Sequence, residues 1–117
     1  MVKSPNKNPF NHLETIAIHE GAELASAHGM VGIPIYQTST FEMQPEDGLS
    51  KVRYTRLNNG PNHLALNKKL AALEGAEAAV VTASGMAAIS VTLLATLGKQ
   101  GHVLLPTALY GGTYGFA

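Results

Sequence analysis

A chain of 117 residues is long enough for one domain, or part of one, with a moderate core. Its eight basic and eight acidic residues cancel, and the basic ones are scattered, which argues against a nucleic-acid face. The absence of cysteine excludes disulfides and thiolate metal sites.

Charged residues make up 14% of the chain against 45% apolar, a balance that suits a segment buried against other chain better than one wetted on every face. Met1 to Asn11 is polar, with Pro5 and Pro9, and lacks the apolar centre of a signal peptide, so the expected location is cytoplasmic. Met1 to His12 reads as a mobile arm. From Leu13 to Glu20, Leu13, Ile16 and Ala17 fall at helical spacing and predict a short helix. Ile33 to Phe41 is rich in β-branched and aromatic residues, but Pro34 bars its start from a central strand. Gln44 to Ser50 is a surface loop.

Tyr54-Thr55-Arg56 precedes Asn58-Asn59-Gly60-Pro61, a turn that starts a helix with proline near its first position. That helix is expected over Asn62–Glu74. Leu66, Leu70 and Leu73 would form its buried stripe, Lys68 and Lys69 would lie off it, and Gly75 would end it. A strand over Ala78–Ala83 and a helix over Met86–Leu97 follow. Met86, Ile89, Leu93 and Leu97 share one face of that helix, and its other faces are also apolar, which predicts burial on more than one side. His102 to Leu105 reads as a second strand stopped by Pro106. Strand, helix and strand with a short return make a βαβ unit with a parallel sheet and a right-handed crossover. The uncharged run Ala78–Gly98 is long enough to raise a membrane helix. Gly85 interrupts it, five hydroxyl residues dilute it and Val80-Val81 favours strand, so strand followed by buried helix is preferred. Two strands, one helix between them and an open end at Ala117 predict a truncated α/β piece.

Chemistry concentrates at three places. Ser84-Gly85-Met86 is a strand-to-helix turn whose glycine lets an anion approach and whose helix start offers N–H donors, although many such turns hold no ligand. It lacks the Gly-x-Gly-x-x-Gly of a dinucleotide fold, and Thr82 and Met86 stand where a serine hydrolase needs glycine. Tyr54 and Arg56, two apart, are able to grip a phosphate together, or else are a half-buried tyrosine and a surface arginine. Tyr110-Gly111-Gly112-Thr113 offers either an aromatic face beside a ligand or an ordinary turn with a packing tyrosine. The five histidines show no metal-ligand spacing, and no acidic pair is placed for acid–base work.

Taken together, Thr15–Gly21, Pro34–Phe41, Tyr54-Thr55-Arg56, Lys69–Gly75, Ala83–Ile89 and Leu109–Thr113 resemble, in order and spacing, the Cys/Met-metabolism family of pyridoxal-phosphate enzymes. That family includes cystathionine γ-synthase, cystathionine lyases, methionine γ-lyase and homoserine-ester sulfhydrylases. The resemblance implies an α/β protein of fold type I: a mostly parallel sheet with flanking helices, incomplete here. It implies pyridoxal 5'-phosphate as cofactor and identical subunits paired as dimers or tetramers. Residues 1–53 would be an arm and extended segment making inter-subunit contacts, and residues 54–117 the start of the cofactor-binding domain. The resemblance assigns the cofactor phosphate to the turn at Ser84, through the backbone of Gly85 and Met86. Tyr54 and Arg56 would reach the phosphate of the neighbouring subunit, and Tyr110 would stack on the pyridine ring. The implied reaction is γ- or β-elimination or replacement on a homoserine ester, cystathionine or methionine-like amino acid, the cofactor serving as electron sink.

Departures stand beside the matches. The family's Asn-Pro-Thr is Gly60-Pro61-Asn62 here, with one extra residue after Arg56 that is able to shift the Tyr54–Arg56 arm. Gly101-His102 replaces a Gly-Asp, and Asn67 a glutamate. No lysine present lies in the family's Schiff-base motif, so this chain alone is expected to have no turnover. The competing expectation is a non-catalytic α/β protein whose Ser-Gly-Met turn is structural and whose apolar surfaces bind a partner.

Overall fold

The computed structural model describes residues 12–23, 28–43, 46, 48, 51–98 and 101–117. The expected N-terminal arm lies outside these residues except for His12, as does most of the expected loop Gln44–Ser50. Among the described residues four α-helices follow one another: α1 (Leu13–His19), α2 (Pro61–Leu73), α3 (Gly85–Thr96) and α4 (Gly111–Phe116), with a 3-10 turn at Thr55–Leu57. The chain divides into two compact units between Val80 and Val81.

In the first unit α1 packs on α2. Gly60 stands at the N-cap of α2 and Pro61 at its first position, where a missing N–H costs nothing. Beyond Leu73, Gly75 takes the left-handed conformation at φ +62°. The Ala76 N–H then donates to the Ala71 carbonyl at 2.8 Å and the Gly75 N–H to that of Ala72 at 3.3 Å, which is a Schellman stop. The leucine stripe is not what this helix buries. Leu66 is 44% exposed, whereas Ala65 and Ala71 are buried. Small side chains admit the close approach of Gly21, at φ +81°, where an added β-carbon would lie 2.6 Å from the Ala65 carbonyl oxygen. Lys68 and Lys69, expected off the packed face, tie the helix to the α1 end of the unit. Lys69 Nζ donates to the Ile18 carbonyl at 3.1 Å, and Lys68 pairs with Glu23 and lies 3.7 Å from Glu20.

In the second unit α3 packs on α4. Ser84 caps α3 with a side-chain oxygen that accepts from the Ala87 N–H at 3.1 Å. Ser90, Thr92 and Thr96 donate to the carbonyls four residues back, so these hydroxyls are satisfied within the helix. The face of Met86, Ile89, Leu93 and Leu97 is the better covered one. Burial on further sides is not found: Leu94 is 73% exposed and Val91 also faces outward.

No strand forms among the described residues, and both runs expected as strands, Ala78–Ala83 and His102–Leu105, carry no regular secondary structure. A β-strand exists through its ladder to a neighbour, and no such ladder forms among the described residues. The expected βαβ unit is therefore not found among the described residues. Residues 33–41 likewise form no strand; there the Thr38 hydroxyl accepts from the Thr40 N–H and donates to the Thr40 carbonyl, a local turn that competes with pairing.

Candidate functional site

The sequence-derived site residues fall into two clusters, one in each unit. In the first unit, Tyr54 stands immediately before the 3-10 turn and Arg56 within it. The turn closes by Leu57 N–H donating to the Tyr54 carbonyl at 2.9 Å and Asn58 N–H to that of Thr55 at 3.1 Å. Asn58 then reverses the chain in the left-handed region at φ 53°, a conformation asparagine tolerates better than most residues. Two residues apart in sequence, the two side chains meet: the Arg56 guanidinium carbon lies over the Tyr54 ring, 4.7 Å from its centroid. Both residues remain exposed, which leaves the guanidinium edge and the phenol open to solvent.

In the second unit the start of α3 has the electronic character of an anion seat. The first three N–H groups of a helix have no intrahelical acceptor. Ser84 takes that of Ala87, and among the described residues those of Gly85 and Met86 have no partner. Gly85 is exposed, and a β-carbon added there would meet nothing within 4 Å. Both N–H groups point where the positive end of the helix dipole favours a negative group. The cap is itself braced: Thr82 donates its hydroxyl hydrogen to the Ser84 carbonyl at 2.9 Å. Two free N–H groups at an exposed helix start suit an anion such as a phosphate monoester, with Ser84 holding the helix end in shape.

Tyr110 stands at the N-cap of α4 in the same unit and is 73% exposed. Its neighbours were not foreseen from sequence. A β-carbon at Gly112 would sit 2.7 Å from Tyr110 Cε1 and 3.2 Å from Met86 Sδ, so the glycine is the gap into which ring and sulfur both lean. Thr113, 6% exposed, donates its hydroxyl hydrogen to Met86 Sδ at 3.8 Å and links α4 to the first turn of α3. The signal for both was present in the Tyr-Gly-Gly-Thr run, but nothing in that run names Met86 as the residue it touches.

The family model for the Cys/Met metabolism PLP-dependent enzymes matches residues 14–117. Among curated proteins the chain is 46% identical to an L-methionine gamma-lyase of Fusobacterium nucleatum subsp. polymorphum, over 87% of this chain and 27% of the relative. It is 45% identical to a cystathionine beta-lyase of Staphylococcus haemolyticus, over 82% of this chain and 23% of that protein. A probable cystathionine gamma-synthase of Herpetosiphon aurantiacus is 44% identical over 86% of the chain and 31% of its own length. The chain thus spans about a quarter of the length of the curated relatives it matches. No solved structure matches it. Among the described residues, no helix is long and apolar enough to cross a membrane. With the match running through both clusters, this chain belongs to the Cys/Met metabolism family of PLP-dependent enzymes.

Proposed function

We propose that these residues are the N-terminal part of a cytoplasmic PLP-dependent enzyme of sulfur amino-acid metabolism. The reaction is γ- or β-elimination or replacement on a homoserine ester, cystathionine or methionine-like substrate. The observation that supports this reading is the pair of free N–H groups on Gly85 and Met86 at the exposed start of α3. There they hold the cofactor phosphate, while Tyr110 lies against the pyridine ring and fixes its plane. Tyr54 and Arg56 bring a phenol and a guanidinium fork to the phosphate of the neighbouring subunit in a dimer or tetramer. When bound, the cofactor supplies an electron sink for charge developing at the substrate's α and β carbons. The part of this chain is to anchor and orient.

The same reading divides the chain by task, residues 1–53 meeting the neighbouring subunit and residues 54–117 beginning the cofactor domain. It also gives the outward face of α3, with Val91 and Leu94, a parallel sheet of fold type I to lie against, built with chain beyond these residues. No lysine here occupies the family's cofactor-bonding motif, so the 117-residue chain alone has no turnover.

Two experiments test the proposal. In the full-length enzyme, Arg56→Ala loosens the cofactor by about 10- to 100-fold, the loss of one charge-assisted contact; unchanged retention sinks the assigned role. Borohydride treatment of the isolated chain with pyridoxal phosphate leaves no lysine-specific adduct, and a stoichiometric adduct on one lysine contradicts the proposed division of labour.

A further inference from the structure

We infer that Asn59 is the positioning residue of the Tyr54–Arg56 arm, acting through a two-point clasp on the backbone from which both side chains hang. This rests on the proposed role of that arm at the cofactor phosphate. Asn59 Oδ1 accepts from the Tyr54 N–H at 2.8 Å, and Asn59 Nδ2 donates to the Val52 carbonyl at 2.7 Å. In extended backbone, the C=O of one residue and the N–H of the second residue after it point to the same side, where a neighbouring strand would pair. A single carboxamide, with acceptor and donor side by side, takes the place of that strand. Only one orientation of the amide serves both partners, so its assignment follows from the bonds themselves.

With Leu57 N–H on its carbonyl and Asn59 on its N–H, Tyr54 has both backbone groups tied. The arm is then a closed ring of residues 54–59, tightened by the left-handed Asn58 and by the guanidinium over the ring. The chain supplies its own control. Asn62 makes the same clasp on a different segment, accepting from the Tyr36 N–H at 2.8 Å and donating to the Pro34 carbonyl at 2.8 Å. The two clasps share chemistry and geometry, and only one of them carries the arm.

The test is the dissociation constant of pyridoxal phosphate from the full-length holoenzyme in Arg56→Ala, Asn59→Ala, the double variant and Asn62→Ala, each with a thermal melt. Asn59→Ala weakens retention about three- to tenfold, because part of two lost hydrogen bonds is felt at the arm. The double variant loses clearly less than the two single losses combined, the non-additivity expected when one residue acts through another. Asn62→Ala melts as early as Asn59→Ala yet holds the cofactor within about twofold of the parent. Where the alanine variant does not fold, Asn59→Ser, too short to span both partners, supplies the same comparison. Additive losses, or equal losses of cofactor from Asn59→Ala and Asn62→Ala, overturn the inference and leave the arm's role standing. Retention unchanged in Arg56→Ala overturns that role, and the inference falls with it.

Discussion

Gly21→Ala strikes the contact on which the first unit depends. At φ +81° the residue lies in the left-handed region, where an L side chain costs about 1–2 kcal/mol. Its new β-carbon would stand 2.6 Å from the Ala65 oxygen and 3.2 Å from the Ala65 carbonyl carbon and Cα. These are backbone atoms, so relief requires α2 to move away from the turn after α1, at an overpacking cost of about 1–3 kcal/mol. That movement also strains the bond from Lys69 to Ile18, worth about 1 kcal/mol net. The expected destabilisation is about 2–6 kcal/mol, reaching the severe end for a single substitution. Gly29→Ala and Gly75→Ala are matched controls: φ is +68° and +62°, and an added β-carbon meets nothing within 4 Å. Each should lose only the conformational part, about 1 kcal/mol. Urea unfolding of the three variants, followed by far-ultraviolet circular dichroism, makes the comparison. If Gly21→Ala falls within about 1 kcal/mol of the two controls, the close approach of Gly21 to α2 is not what orders this unit.

Substitutions at two further positions separate stability from function in the second unit. In Gly112→Ala the new β-carbon displaces an exposed ring that is free to swing, and the helix gains about 1 kcal/mol of propensity. Thermal stability should therefore hold within about 1 kcal/mol, while the visible circular dichroism of bound cofactor changes; an unaltered spectrum contradicts the placement of Tyr110. Ser84→Ala removes the cap of α3 and costs about 1 kcal/mol, whereas Ser84→Asp restores capping but sets a carboxylate beside the anion seat. The aspartate variant should melt like the parent and bind pyridoxal phosphate about tenfold more weakly, and equal affinity argues against an anion at this turn.

Local signals explain what the sequence made legible. Pro61 at a helix start, Gly75 past a helix end and Ser84 before an apolar run each act within a few residues, and α2 and α3 begin and end within one residue of expectation. What stayed hidden depends on partners far along the chain. Hydrophobicity marked Leu66 and Leu70 as the packed face of α2, but close approach at Gly21 selected alanines, a choice that only the geometry of α1 decides. The strands at 78–83 and 102–105 were read from composition, which records that a run suits a ladder and not whether a neighbour is at hand. Of the site, the residue types were legible and their bracing was not: Thr113 on Met86, the gap at Gly112 and the clasp of Asn59 are side-chain geometries with no period to betray them.

The central claim is that a phosphate sits on the free N–H groups of Gly85 and Met86. Amide NMR of glycine-, methionine- and alanine-labelled protein, titrated with pyridoxal phosphate and separately with inorganic phosphate, tests it directly. The amide protons of Gly85 and Met86 should move downfield together as phosphate binds, while that of Ala87, already held by Ser84 Oγ, moves least. Bound cofactor with Gly85 and Met86 unmoved would contradict it.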